Sequence, residues 1–205
     1  MKKSFRFFCS LAIFSLFALN SYGKQPANIA NDLPPVFYPD SYHVILSVSA
    51  LADIVCLDDE SAWALTQPNK CVLEWKITDP TTILPNECWF CSSYGKYILK
   101  NLLTKECVYV NLYLAPKLKN ENTLFIKSID KDHSTITLTN GFTWKVHPKY
   151  KYMIDEWEIT DAVIIGTANE QVSWSEYLWY GNRPEMDNII INACMDEYVK
   201  AQKLK

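Results

Sequence analysis

The chain has 205 residues, of which 49% are hydrophobic and 21% are charged, and its formal net charge is −3. This composition is typical of a globular protein and excludes collagen-like, low-complexity and polybasic chains. The length allows one domain of ordinary size or two small ones.

The first 23 residues have the pattern of a secretory signal peptide. Three basic residues precede an apolar segment at residues 7–19, which is shorter than the roughly 20 residues a transmembrane helix needs. Ser21 and Gly23 are small, as the positions before a signal-peptide cleavage site require. We therefore expect residues 1–23 to be removed and the mature protein to be secreted or periplasmic, soluble and without a transmembrane helix.

The charge of the mature chain argues against one class of partner. Removing the signal peptide takes away three basic residues and no acidic ones, which changes the net charge from −3 to −6. Binding to nucleic acid depends on Lys and Arg side chains that neutralise phosphates. We therefore expect no nucleic-acid partner.

An internal repeat with a period of about 81 residues organises the remainder of the chain. Trp63 aligns with Trp144, and a Trp-x-Ile-Thr-Asp sequence at 75–79 aligns with the same sequence at 157–161. Two tryptophans, a triplet and the apolar spacing agree together. The repeat predicts two copies of one module.

The modules span 43–115 and 122–192, and the proline-rich residues 24–42 form an extended lead-in. Hydrophobic residues alternate with polar ones in both modules, and Asn140-Gly141 is a hairpin signal. Five or six short strands in such a module predict an all-β protein of two tandem small antiparallel β-barrels, SH3-like or OB-like. Residues 193–205 show helical spacing and are expected to form a short C-terminal helix.

The repeated residues have structural interpretations. Trp63, Trp144, Trp75 and Trp157 are expected to fill the cores of the two modules, because small domains need large apolar side chains there. Asp79 and Asp161 are expected to cap turns through backbone amides.

Four aromatic residues in the second module do not repeat, and they are the candidate ligand-binding residues: Trp174, Tyr177, Trp179 and Tyr180. If exposed, such a cluster suits a sugar ring, a peptide or another protein. Packing in the core or between the modules is the alternative. The corresponding stretch of the first module, around Tyr94, has fewer aromatic residues, so the modules are expected to differ here.

Six cysteines remain after cleavage, and an exported chain meets an oxidising compartment. Structural disulfides are the main interpretation, with Cys194 bridged to Cys88 or Cys107 and thereby joining the C-terminal segment to the first module. Cys88 and Cys91 have the spacing of a redox dithiol, which makes a thiol–disulfide protein the alternative function. The cysteine spacing does not indicate zinc, and no metal or cofactor is expected.

Motifs of enzymes are missing from the sequence. His43, His133 and His147 lie beside no nucleophile motif, and no phosphate-binding loop, zinc-protease or dinucleotide-binding pattern occurs. This lowers the expectation of an enzyme without excluding one, because active sites can be built from residues that are distant in sequence.

The hairpin followed by Trp-x-Ile-x-Asp resembles repeats in secreted proteins of Chlamydiae-like and other intracellular bacteria. The residues that carry the resemblance lie mainly in the second module: Leu138, Asn140, Gly141, Trp144, Val146, Trp157 and Asp161. The first module departs from the pattern, with Glu60 in place of the glycine. The resemblance implies tandem β-barrels and no particular activity. The sequence thus predicts a non-enzymatic binding or envelope-associated module, with a protein or envelope component as its partner.

Overall fold

The structure is a computed structural model, and it describes residues 40–87, 94–168 and 186–204. Within these residues, six antiparallel strands close into a first barrel in the order β1-β2-β3-β6-β5-β4. The strands are β1 (Tyr42–Val48), β2 (Ile54–Leu57), β3 (Ala62–Leu65), β4 (Pro80–Pro85), β5 (Tyr97–Asn101) and β6 (Cys107–Leu114).

The second barrel repeats the first strand for strand, in the order β7-β8-β9-β12-β11-β10. Its strands are β7 (Leu124–Asp130), β8 (Thr135–Leu138), β9 (Thr143–Val146), β10 (Ala162–Thr167), β11 (Asn188–Asn192) and β12 (Glu197–Lys203). The predicted all-β architecture of two tandem antiparallel barrels is confirmed.

Alternation of buried and exposed side chains explains why these segments form strands. In β6, Val108 and Val110 are buried, while Cys107 and Tyr109 on the other face of the strand are exposed. β8 and β9 alternate in the same way across the Asn140-Gly141 turn, where Gly141 has φ +86°. Glu60 occupies the equivalent turn of the first barrel with φ +61°, a conformation that L-residues adopt only at a cost.

The repeated tryptophans lie in the two cores, as expected. Trp63 and Trp144 are 0% and 1% exposed, and Trp75 and Trp157 are 5% and 3% exposed. Each of the latter pair follows a short helical element: a 3-10 helix at Lys70–Glu74 in the first barrel, and a 3-10 helix at Pro148–Tyr150 continued by α1 (Lys151–Ile154) in the second.

The C-terminal segment is a strand, so the predicted helix at 193–205 was wrong. β12 pairs with β11 on one side and with β9 on the other, and it closes the second barrel. Val199 and Ala201 point into the barrel, whereas Lys200 between them is buried against the first barrel. Three consecutive buried residues hide the two-residue period of the strand, and pairing with two neighbouring strands overrides the local helical spacing.

The two barrels pack against each other through β4 and β10. A Cβ atom on Gly166 would lie 2.3 Å from the carbonyl oxygen of Ile83, so only glycine allows this close approach. The outer faces of β10 and β11 contribute Ile164, Ile189 and Ile191 to the same hydrophobic cluster as the core of the first barrel. We call this contact between the barrels the seam.

Cys56, Cys71, Cys107 and Cys194 carry free thiols in the structure. The expected bridge between Cys194 and Cys107 is therefore not formed. Cys88 and Cys91 lie outside the described residues. Among the residues that are described, no helix has the length and apolar character needed to cross a membrane.

Candidate functional site

The site residues named from the sequence fall outside the described part of the chain. Trp174, Tyr177, Trp179 and Tyr180 belong to the segment 169–185, and the redox alternative Cys88 and Cys91 belongs to 88–93. The structure does not test either assignment.

The internal duplication provides a way to separate scaffold from site. The backbone amide of Thr66 donates to the Tyr109 carbonyl oxygen, and that of His147 donates to the Lys200 carbonyl oxygen in the same place of the second barrel. Tyr109 and Lys200 are therefore equivalent positions. A position at which the two copies differ chemically is a candidate for a role beyond the shared fold.

One cavity of about 230 Å³ opens on the outer surface of the first barrel, beside the start of β6. Its walls bring together residues from the loop after β3, from β6 and from the residues just before β5. The polar and aromatic residues of the lining include Thr66, Gln67, Asn69, Tyr94, Cys107 and Tyr109. We call this cavity the tyrosine groove.

Two aromatic rings form the apolar wall of the tyrosine groove. The ring centroids of Tyr94 and Tyr109 are 5.7 Å apart and the rings are tilted by 36°. Tyr94 is 44% exposed and Tyr109 is 39% exposed, so both rings are accessible to a ligand.

A single residue holds both tyrosines in place. The Thr66 hydroxyl donates to the Tyr94 carbonyl oxygen, and the Thr66 amide donates to the Tyr109 carbonyl oxygen at 3.1 Å. Thr66 follows β3 directly, so the barrel wall determines its position. Hydrogen bonds from the barrel wall therefore fix the backbone positions of both tyrosines.

Gly95 allows Tyr94 to approach the barrel. It has φ +127°, and a Cβ atom there would lie 2.9 Å from Thr66 Cγ2 and 3.0 Å from the Val110 carbonyl oxygen. Any side chain at this position would therefore push the Tyr94 segment away from β6.

The equivalent surface of the second barrel is covered. Lys200 is 5% exposed and its Nζ lies 2.8 Å from Glu87 Oε1 of the first barrel. Tyr198, which is equivalent to Cys107, places its ring 6.0 Å from that of Tyr97. The second barrel thus uses this face for the seam, whereas the first barrel leaves its own copy open.

The lining of the tyrosine groove is neutral. None of the described residues that line it is charged, and its polar groups are amides, hydroxyls and the exposed thiol of Cys107. Asn69 uses its side-chain oxygen to accept the Cys71 amide at 3.1 Å. The groove therefore offers two aromatic faces and neutral hydrogen-bonding groups.

A second non-repeated cluster lies at the seam. His43 Nδ1 is 3.2 Å from Asp58 Oδ1, and His43 Nε2 is 2.9 Å from the carbonyl oxygen of Ile165 in the second barrel. Burial lowers the pKa of His43, but the hydrogen bond to Asp58, the charges of Asp59 and Asp58 and the Ile165 carbonyl together raise it above 6.5. In the second barrel Leu124 occupies the position of His43.

His43, Asp58 and Asp59 place one donor atom each within 4.8 Å of one another, a spacing that could suit a metal ion. Each group is already engaged, however. Both ring nitrogens of His43 have hydrogen-bond partners, and Asp59 Oδ1 accepts the Ser61 amide at 2.9 Å. These hydrogen bonds explain the cluster without a metal.

Sequence reasoning did not identify Thr66, Tyr109 or His43 as functional candidates. Tyr109 could have been found from the alternation of β6, which places it on the outer face, and His43 from its replacement by Leu124 in the repeat. Nothing in the sequence indicates that Thr66 joins Tyr94 to Tyr109.

Comparison of the chain with protein-family models, with curated proteins and with solved structures gives no match. Functional assignment therefore depends on the geometry of the described residues.

Proposed function

We propose that the protein is an exported, non-enzymatic binding protein that holds a neutral sugar ring of an envelope glycan in the tyrosine groove. The observation that carries the proposal is the pair of accessible rings, Tyr94 and Tyr109, in a cavity whose described lining residues are uncharged. The signal-peptide pattern at 1–23 supports export to the compartment where such glycans occur.

The chemistry of the groove favours a sugar over other ligands. Tyrosine rings present flat apolar faces that can cover the C–H face of a sugar, while amides and hydroxyls can bind its hydroxyl groups. The described lining residues offer no cation that would pair with the charge of a phosphate-bearing ligand.

The closed barrels argue against a peptide that binds by strand addition. Extended peptides add to exposed sheet edges, and in the described residues each barrel pairs every strand on both sides.

The cavity of about 230 Å³ is smaller than the roughly 300–1,000 Å³ typical of sites for drug-sized molecules. It therefore suits one ring of a longer glycan.

Titration of the mature protein with triacetylchitotriose, followed by amide NMR shifts, tests the proposal. We expect the shifts to concentrate at Tyr94, Tyr109 and Thr66. Tyr109→Ala should weaken binding at least about tenfold, which corresponds to about 1.4 kcal/mol. Tyr152→Ala is the matched control, because Tyr152 is 70% exposed on the second barrel, and it should bind as the unaltered protein does.

Three further measurements separate this proposal from the alternatives. The charged trisaccharide of galacturonic acid should bind more weakly than triacetylchitotriose. If Trp179→Ala abolishes binding while Tyr109→Ala does not, the aromatic cluster of 174–180 is the site and the tyrosine groove is not. A protein that binds neither sugar but reduces or forms disulfides through Cys88 and Cys91 would favour the thiol–disulfide function instead.

A further inference from the structure

His43 is placed between two hydrogen-bond acceptors. Its Nδ1 faces the carboxylate oxygen of Asp58 at 3.2 Å, and its Nε2 faces the carbonyl oxygen of Ile165 at 2.9 Å. A carboxylate and a carbonyl only accept hydrogen bonds. A neutral imidazole has one N–H, so it can serve only one of them, whereas the imidazolium has two and serves both.

The two acceptors belong to different barrels. Asp58 lies in the turn between β2 and β3 of the first barrel, and Ile165 lies on β10 of the second. His43 is on β1, and its side chain is 11% exposed, so water replaces a lost hydrogen bond poorly. The His43 side chain therefore donates hydrogen bonds to both barrels at once only when it is protonated.

The groups around His43 favour the protonated form. The charged groups that act on it are Asp58, which bonds to Nδ1, and Asp59 beside it. β4 packs against β1 and contributes Thr81, whose hydroxyl donates to the His43 carbonyl oxygen, and β4 has no titratable residue. β10 contributes the Ile165 carbonyl and also has no titratable residue.

We propose that His43 is a proton-dependent latch between the two barrels, closed when the imidazole carries both protons and weakened when it loses one. Deprotonation leaves a nitrogen lone pair facing either the Asp58 carboxylate or the Ile165 carbonyl. The remaining contacts of the seam, such as the Thr82 and Thr167 hydroxyls at 2.7 Å, keep the barrels together without it. The latch thus makes the strength of the seam depend on the protonation state of His43.

NMR of the mature protein tests the latch directly. We expect both ring nitrogens of His43 to carry protons at pH 6, and their titration midpoint to lie above the 6.5 of an unperturbed histidine. The carbonyl 13C shift of Ile165 should change with the same midpoint. His43→Gln should abolish the Ile165 transition, and this variant also assigns the His43 signals.

His133→Gln is the matched control, because His133 is an exposed histidine in the turn between β7 and β8 of the second barrel, where it pairs with Asp130. It should leave the Ile165 transition unchanged. A His43 midpoint at or below 6.5 would overturn the proposal, as would an Ile165 carbonyl that does not respond. Because both are measured on the unaltered protein, the test stands even if His43→Gln does not fold.

Discussion

The side-chain amide of Asn101 donates to the carboxylate of Asp79 at 2.8 Å, and the equivalent pair in the second barrel, Asn192 and Asp161, does so at 2.6 Å. Each asparagine also accepts two backbone amides of the following turn through its side-chain oxygen. Each aspartate in turn accepts a backbone amide three residues before it. The pair therefore connects two turns at one end of each barrel.

We predict that Asn101→Ala lowers the free energy of unfolding by about 1–3 kcal/mol, because it leaves the Asp79 carboxylate and two backbone amides without their partner. Asn192→Ala should cost a similar amount. Ile159→Ser is the control, since Ile159 is 60% exposed beside Asp161 and its loss should change stability by less than about 0.5 kcal/mol. Urea unfolding measures all three, and no loss for either asparagine would contradict the assignment.

Trp144→Ala should lower the free energy of unfolding by about 3–5 kcal/mol, as truncation of a buried aromatic side chain does. Trp144 is 1% exposed and packs within the core of the second barrel. The same urea measurement gives the value. A loss below about 1 kcal/mol would mean that the side chain does not fill the core.

The Trp63 indole Nε1 donates to the Ser61 hydroxyl at 2.9 Å, whereas Phe142 occupies the position of Ser61 in the second barrel. Accordingly, Trp144 Nε1 is buried with no partner among the described residues. Ser61→Ala should reproduce that situation in the first barrel and cost about 1–3 kcal/mol. If thermal unfolding shows that Ser61→Ala is as stable as the unaltered protein, the Trp63 hydrogen bond does not contribute to stability.

Gly95→Ala and Gly141→Ala form a matched pair, because both glycines have positive φ and only Gly95 lacks space for a Cβ atom. Gly141→Ala should cost about 1–2 kcal/mol, from backbone strain alone. Gly95→Ala should cost more and should shift the NMR signals of Tyr94 and Tyr109. If the two variants lose equal stability and the Tyr94 and Tyr109 signals do not shift, the Tyr94 segment does not pack closely against β6 at Gly95.

Stability should also depend on pH through His43. Its pKa is raised above 6.5 in the folded protein, so its contribution is complete below pH 6.5 and is lost as the pH rises through the folded-state pKa. We expect the stability difference between the unaltered protein and His43→Gln to shrink from pH 6 to pH 9. A constant difference for His43→Gln would contradict the assignment.

Features that depend on local interactions were predictable from the sequence, whereas features that depend on contacts between distant residues were not. The β8–β9 hairpin and the tryptophan positions were predictable, because alternation and the Asn140-Gly141 turn are local signals that the repeat duplicates. The strand β12 was not predictable, because Lys200 is buried through its contact with Glu87 of the other barrel, and the local sequence does not indicate that contact. Likewise, Thr66 reaches Tyr94 across 28 residues and Tyr109 across 43, so the tyrosine groove exists only once the barrel has closed.

Cys107 and Cys194 allow the most direct measurement of the central claim, that the tyrosine groove holds a sugar. Both thiols are free and exposed, and only Cys107 lines the groove. The rate of alkylation by N-ethylmaleimide at each cysteine, measured by peptide mass spectrometry with and without triacetylchitotriose, reports occupancy at one site against an internal control. We predict that the sugar slows alkylation of Cys107 and leaves that of Cys194 unchanged. Equal rates at Cys107 with and without the sugar would contradict the account.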